Sequence, residues 1–248
     1  MRTQYEIEVW GTVVFIDVTS EIDIEPAITE VNQYVHKVDE LFSTYKENSI
    51  VSQLRRGEIV IERCPPDVIE VWNLCAFAKV LTEGAFDPWS INGGFDPSGL
   101  VKGWAADKCA EILVAAGADH VQVNAAGDLA LRGGFTADQP WSIGVVNPDN
   151  RLEILQTFEI IDGAIATSGT YERGAHINDP HTGMIAIGAK SATVIGPNGA
   201  IVDALATALM VSGRDGSVWF TAPELSEYSA WVIDRHENVA WSIGPATA

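Results

Sequence analysis

The sequence is short of basic residues: 15 Lys and Arg stand against 34 Asp and Glu, a formal net charge of −19 over 248 residues. A surface of that sign repels phosphate backbones and anionic headgroups, which disfavours nucleic acid and acidic membranes as partners. Cysteine is scarce as well. Cys64, Cys75 and Cys109 form no CxxC pair and are odd in number, which argues against a disulfide framework or a zinc site and fits a reducing compartment. No stretch approaches the roughly 18 apolar residues of a membrane-spanning helix. The N-terminal MRTQYEIEVWGTVV has no apolar core, cleavage site or lipid-attachment cysteine. A cytoplasmic protein without a membrane span is expected. Walker A and GxGxxG patterns are missing too, so no familiar nucleotide motif is spelled out.

What is there suits a buried core: 47% of residues are hydrophobic and 20% charged. Gln4–Ser20 reads as β-rich, with Gly11 expected to mark a bulge or a close backbone approach. Ile28, Val31, Val35, Val38, Leu41 and Phe42 share one face of a helix over Pro26–Phe42. Ser49 opens a short helical turn, and Ile59–Ile61 reads as a short strand. Further helices are predicted at Pro66–Leu81, Leu100–Ala115 and Ala200–Val211. Short strands cluster late, at His120–Asn124, Leu129–Arg132, Trp141–Val146, Glu153–Ile161, Ala164–Thr167 and Ser191–Ile195. Tyr228–Ile233 and Val239–Ile243 read as a closing hairpin, with Glu237-Asn238 in its turn. This pattern predicts an α+β fold, one domain over residues 1–248, with a mainly antiparallel sheet packed by helices.

Three segments could carry chemistry. In Ile201–Leu209, Asp203 and Thr207 lie four apart and share a helix face. They offer hard oxygen ligands of the kind Mg²⁺ prefers, although a helix-start carboxylate and a back-bonded threonine explain the same pattern. In Gly84–Asp107 a glycine-rich loop runs into a helix with Lys102 in its first turn, a suitable anion site or merely a flexible loop. Ala166–Gly183 is polar and carries His176 and His181; a histidine there could be a general base or plain surface. Asn124–Asp128 reads as a turn.

Taken in order, these segments resemble the ApbE family, the FAD:protein FMN transferases. Trp10-Gly-Thr12 is similar to the family's Met-Gly-Thr, and Ser43-Thr-Tyr45 with Asn48-Ser49 to its Ser-Thr-Tyr and Asp-Ser turn. Gly84-Ala-Phe-Asp87 matches Gly-x-Phe-Asp. Asp96-Pro-Ser-Gly-Leu-Val-Lys-Gly-Trp-Ala-Ala-Asp107 matches Asp-Leu-Gly-Gly-Ile-Ala-Lys-Gly-Tyr-Ala-x-Asp. Asn124-Ala-Ala-Gly-Asp128 matches Asn-x-Gly-Gly-Asp. Thr167-Ser-Gly169, Tyr171, His176-Ile-Asn-Asp-Pro180, Thr182-Gly183 and Asp203-Ala-Leu-Ala-Thr207 complete the series.

The resemblance implies a Mg²⁺-dependent FAD:protein FMN transferase that moves FMN from FAD to a Thr or Ser hydroxyl of a target flavoprotein and releases AMP. It implies Mg²⁺ held by Asp203, Thr207 and a backbone carbonyl near Gly99. FAD contacts are implied from Trp10, Tyr45, Ala85, Phe86, Asp87, Asp96, Lys102 and Asn178. His176 is the candidate base and Lys102 the candidate cation at the phosphates. With water as acceptor the same site would be an FAD pyrophosphatase giving FMN and AMP; without turnover the chain would be a flavin-binding protein. Trp10 replaces the family's methionine, and the segment between Phe86 and Asp96 is shorter than usual.

Overall fold

The computed structural model describes residues 1–90, 93–169, 177–235 and 239–245. Its backbone is an antiparallel sheet with a helical layer on one face and a separate hairpin on the other. Strands β1 (Arg2–Val9) and β2 (Thr12–Thr19) form a hairpin, followed by helices α1 (Glu25–Phe42), α2 (Ile50–Arg55), α3 (Pro66–Leu81) and α4 (Val101–Ala115). Then come β3 (His120–Ala125), β4 (Asp128–Arg132), β5 (Trp141–Asn147), β6 (Asn150–Ile160), β7 (Gly163–Gly169) and β8 (Ala189–Gly196). Helix α5 (Gly199–Ser212) precedes β9 (Ser229–Asp234) and β10 (Ala240–Ile243). Among the described residues eight strands make one sheet in the order β1-β2-β3-β4-β7-β8-β9-β10, every pair antiparallel, while β5 and β6 pair only with each other.

Strand alternation decides which layer covers which face. On the central strands Ala130, Ala164, Ala166, Val194 and Val232 point to the helices. Their neighbours Leu131, Ile165, Ile195 and Trp231 point the other way, against Trp141, Val145, Phe158 and Ile160 of the β5–β6 hairpin. Alanines on the helix side of β7 leave room for α5 to lie close to the sheet. α5 buries residues all round, from Gly199 through Met210, so it is a core helix rather than an amphipathic surface one. It starts where the Asn198 side chain accepts the Ile201 N–H at 3.1 Å.

Two expectations are corrected. Gly11 marks no bulge. Trp10 and Gly11, at φ 59° and 69°, are the two-residue turn that sets Val9 opposite Thr12, the twist-matched hairpin geometry that needs positive φ at both positions. Ile59–Ile61 is not a strand either. Ile61–Arg63 forms a single 3₁₀ turn, and Ile59 and Ile61 pack sideways onto the helical core; their apolar character serves helix packing, not a ladder. The 3₁₀ turns at Gly213–Thr221 were not anticipated; they bury Trp219 and Phe220. The expected Glu237-Asn238 turn falls outside the described residues.

Candidate active site

The site grows out of one helix pair. α4 and α5 run antiparallel, and successive steps of four residues along the α4 segment meet successive steps of four back along α5. A methyl placed on Gly99, just before α4, would stand 3.1 Å from Thr207 Oγ1. One on Gly103 would stand 3.2 Å from Asp203 Cβ and only 2.1 Å from the Gly199 carbonyl oxygen. One turn further, Asp107 Oδ2 accepts the Gly199 N–H at 2.5 Å. Four-residue steps keep to one face of a helix, so Gly199, Asp203 and Thr207 share the face that looks at Gly99, Gly103 and Asp107. Glycine at 103 and 199 allows the two backbones to touch.

That contact brings charges together. Lys102, in the first turn of α4, reaches Asp128 with its ammonium and lies 3.9 Å from Asp203 Oδ2. Asp128 and Asp203 are each 3% exposed, so both carboxylates sit in a low-dielectric setting where a cation within reach counts for more than at the surface. The Asp203 expectation needs one correction. It does not start or cap α5; Asn198 does that, and Asp203 is the fifth residue of a buried helix. Thr207 Oγ1 stands 3.4 Å from Ser168 Oγ at the end of β7. Cys75 of α3 is buried beside these groups; its thiol pKa is raised by burial first, then by the charges of Asp203 and Asp96.

Asp203, Thr207 and the backbone near Gly99 are hard oxygen donors in one place, a set that fits Mg²⁺. Lys102 adjoins them, and the N-terminal end of α4, where Leu100 provides no side-chain cap, favours a phosphate through the helix dipole.

The remaining predicted residues surround this centre unevenly. Ala85 and Phe86 are buried, with Phe86 beside the Gly99 position at 3.3 Å. Asp87 pairs with Lys79 at 2.7 Å and accepts the Trp89 N–H. Asp96 accepts from the Ser98 N–H and hydroxyl and lies 3.9 Å from Arg55. Trp10 packs between the two helix-side cores, its indole Nε1 buried with no hydrogen-bond partner among the described residues. Asn178 is exposed and bridges to Ile185. Tyr45 is 97% exposed. His176 and Tyr171 lie outside the described residues. His181 stands against Gly84 across a cleft of about 460 Å³ that Lys79, Glu83 and Asp87 also line. A larger cleft of about 600 Å³ on the outer face of α1, α3 and α4 is lined by Glu30, Asp67, Glu70, Glu111 and Lys108. Lys108 there is paired with Glu70 and Glu111, an arrangement that repels an anionic dinucleotide.

Sequence reasoning placed Asp128 in a matched turn motif without giving it a role, and it missed Arg55. The signal for Asp128 was present: it follows the Ala126-Gly127 turn, whose φ values of 57° and 100° make it a two-residue hairpin, so the aspartate is placed at a strand start. Arg55 donates to the Gly93 carbonyl at 2.9 Å and thereby fastens the glycine-rich loop to α2; nothing local in the sequence pointed to it.

An antiparallel sheet backed by a close helix pair, with carboxylates, a lysine and a hydroxyl at their contact, defines an α+β protein with a buried polar centre. Comparison with known proteins makes this specific. The model of the ApbE family matches residues 1–92 and 91–231, and the chain belongs to that family. Over 130 residues it is 35% identical to the FAD:protein FMN transferase of Vibrio cholerae, a match covering 48% of this chain and 39% of that protein. Over 163 residues it is 31% identical to the FAD:protein FMN transferase of Escherichia coli K12, covering 58% and 46%. These matches thus span less than half the length of the two relatives. The fold agrees with the solved flavin transferase ApbE of Vibrio cholerae, at 22% identity, TM-score 0.86, and coverage of 100% of this chain and 98% of that one. It agrees likewise with the ApbE protein of Thermotoga maritima, at 24% identity, TM-score 0.85, and 98% and 97% coverage. No helix among the described residues is long and apolar enough to cross a membrane.

Proposed function

We propose that the chain is a magnesium-dependent FAD:protein FMN transferase, which moves FMN from FAD to a Thr or Ser hydroxyl of a target protein and releases AMP. The observation that carries this reading is the α4–α5 contact, which gathers Lys102, Asp203 and Thr207 at one point. Family membership and the names of the curated relatives support it. Phosphoryl transfer on a pyrophosphate asks the protein chiefly for positioning and charge stabilisation. Asp203, Thr207 and a carbonyl near Gly99 would hold Mg²⁺, which when bound would offset negative charge on the pyrophosphate. Lys102 would add a cation at the phosphates, drawn from its contact with Asp128. The positive end of the α4 dipole would favour phosphate oxygen beside it. Such local positive groups answer the problem of binding an anion in a chain of net charge −19. His176 would accept the proton of the acceptor hydroxyl.

The test is mass spectrometry of candidate flavoproteins mixed with the chain, FAD and Mg²⁺. The expected result is a protein adduct of FMN mass that disappears in excess EDTA. Free FMN and AMP without adduct would mean an FAD pyrophosphatase, and unchanged FAD a binding protein.

Two substitutions probe the roles. Lys102→Ala is expected to weaken FAD more than riboflavin, because only FAD carries phosphates for the ammonium to meet. A titration showing equal losses for both ligands would reduce the lysine to a structural counter-ion of Asp128 and Asp203. His176→Ala is expected to leave FAD affinity within a few-fold while kcat falls by about 10²-fold, the scale of general-base loss. His181→Ala should be nearly silent, since that ring lies on the surface beside Gly84. Weaker FAD binding as the main effect of His176→Ala would move the base elsewhere.

A further inference from the structure

We infer that Asp107 is a positioning residue for the metal-binding face of α5, acting together with Arg132 and without touching the ligands. This rests on the magnesium reading above. The Gly199 N–H is one of the first-turn donors of α5 that have no partner inside the helix, and Gly199 is buried, so leaving it unmet would carry the full desolvation penalty. Asn198 serves Ile201 instead. Asp107 serves Gly199, from the helix that also bears Lys102.

The carboxylate is itself held. Arg132 donates to Asp107 Oδ1 at 2.9 Å, and its other terminal nitrogen donates to the Leu131 and Gly163 carbonyls at 2.8 and 2.9 Å. The clamp therefore ties α4, the end of β4, the start of β7 and the first turn of α5 to one another. Asp107 is 7% exposed, and its pKa is raised by burial, with the Gly199 N–H and Arg132 pulling the other way. A buried carboxylate is costly to keep, and here it has a geometric task. Asp203 is one turn beyond Gly199 and Thr207 two turns. A rotation or slide of the first turn is carried along the rigid helix to both ligands. Partners bonded directly to ligands typically tune metal affinity by about 10–100-fold; Asp107, acting through one helix turn, belongs at the lower end of that range.

The experiment is calorimetric titration of metal-free protein with Mg²⁺, alongside thermal melting and Mg²⁺-dependent kinetics. Asp107→Ala is expected to weaken Mg²⁺ by about 10-fold or more, with kcat at saturating Mg²⁺ recovering to within a few-fold of wild type. Asp107→Asn keeps an oxygen for the Gly199 N–H and is expected to restore most of the affinity. A lowered melting temperature with wild-type Mg²⁺ affinity in both variants would overturn the inference and leave Asp107 a purely structural group. So would a fall in kcat that saturating Mg²⁺ does not restore. If Asp107→Ala does not fold, Asp107→Asn together with Arg132→Met decides, since loss of the guanidinium should also weaken Mg²⁺. Absence of Mg²⁺ binding by the wild type would instead defeat the magnesium reading, and this inference with it.

Discussion

Asp203→Ala is expected to lower Mg²⁺-dependent transfer by on the order of 10³-fold, the equivalent of the several kcal/mol that a bound cation supplies to a developing phosphate charge. Fold stability should barely change, for a reason different from the one the sequence suggests. Asp203 is not a solvent-facing helix start; it is 3% exposed inside α5. Truncating one member of a buried ion pair usually destabilises because the partner is stranded. Here Lys102 keeps its contact with Asp128, so the ammonium is not stranded, and the desolvation cost of one carboxylate is removed. Melting within a few degrees of wild type is therefore expected, with the thermal shift produced by Mg²⁺ lost. Asp203→Asn, closer in shape, should behave alike, because a neutral amide lacks the charge that holds the cation. Turnover near the wild-type level in either variant, or in wild-type protein with excess EDTA, would sink the metal assignment.

Much of the fold could be read from periodicity. The apolar stripe of α1 and the span of α3 match the structure closely: Pro66–Leu81 is predicted and observed with the same ends. Strands β3, β4, β7 and β8 are displaced by no more than two residues at either end. The failures have a common cause. Ile59 and Ile61 alternate as a strand would, but local alternation cannot tell whether a neighbouring strand exists to complete the ladder. Likewise Gly11 is compatible with a bulge or a turn, and only the pairing of Val9 with Thr12 decides.

The site divides the same way. The four-residue spacing of Asp203 and Thr207, and of Gly99, Gly103 and Asp107, is printed in the sequence. That the two series face each other is a tertiary fact; the family resemblance anticipated only the approach of the Gly99 backbone to Asp203 and Thr207. The partner of Lys102 was hidden for another reason: Asp128 lies 26 residues away on a strand, and a turn motif does not reveal which helix crosses above it. Arg55 reaches across 38 residues to Gly93, beyond any local pattern.

Gly103→Ala is expected to be the most damaging single-methyl change in the helix layer. Two effects compete. Alanine favours a helix over glycine by about 1 kcal/mol. Against that, the new methyl would lie 2.1 Å from the Gly199 carbonyl oxygen and 2.6 Å from its carbon. These are backbone atoms of a second buried helix and cannot swing aside, so α4 and α5 must separate. Overpacking of this kind costs about 1–3 kcal/mol, and contact with rigid backbone puts it at the upper end. The net loss is about 2 kcal/mol, which for a chain of this size lowers the melting temperature by roughly 4–8 °C. Gly144→Ala on β5 is the control, because the three atoms nearest its methyl would all belong to the Ile154 side chain, the closest at 3.1 Å, and not to rigid backbone. The functional consequence follows from the same displacement. Separation moves Lys102 from Asp203 and the Gly99 backbone from Thr207, so Mg²⁺ affinity should fall together with stability. A Gly103→Ala protein that melts and binds Mg²⁺ like wild type would show that the helices tolerate a wider crossing, and that their close contact is not what assembles the site.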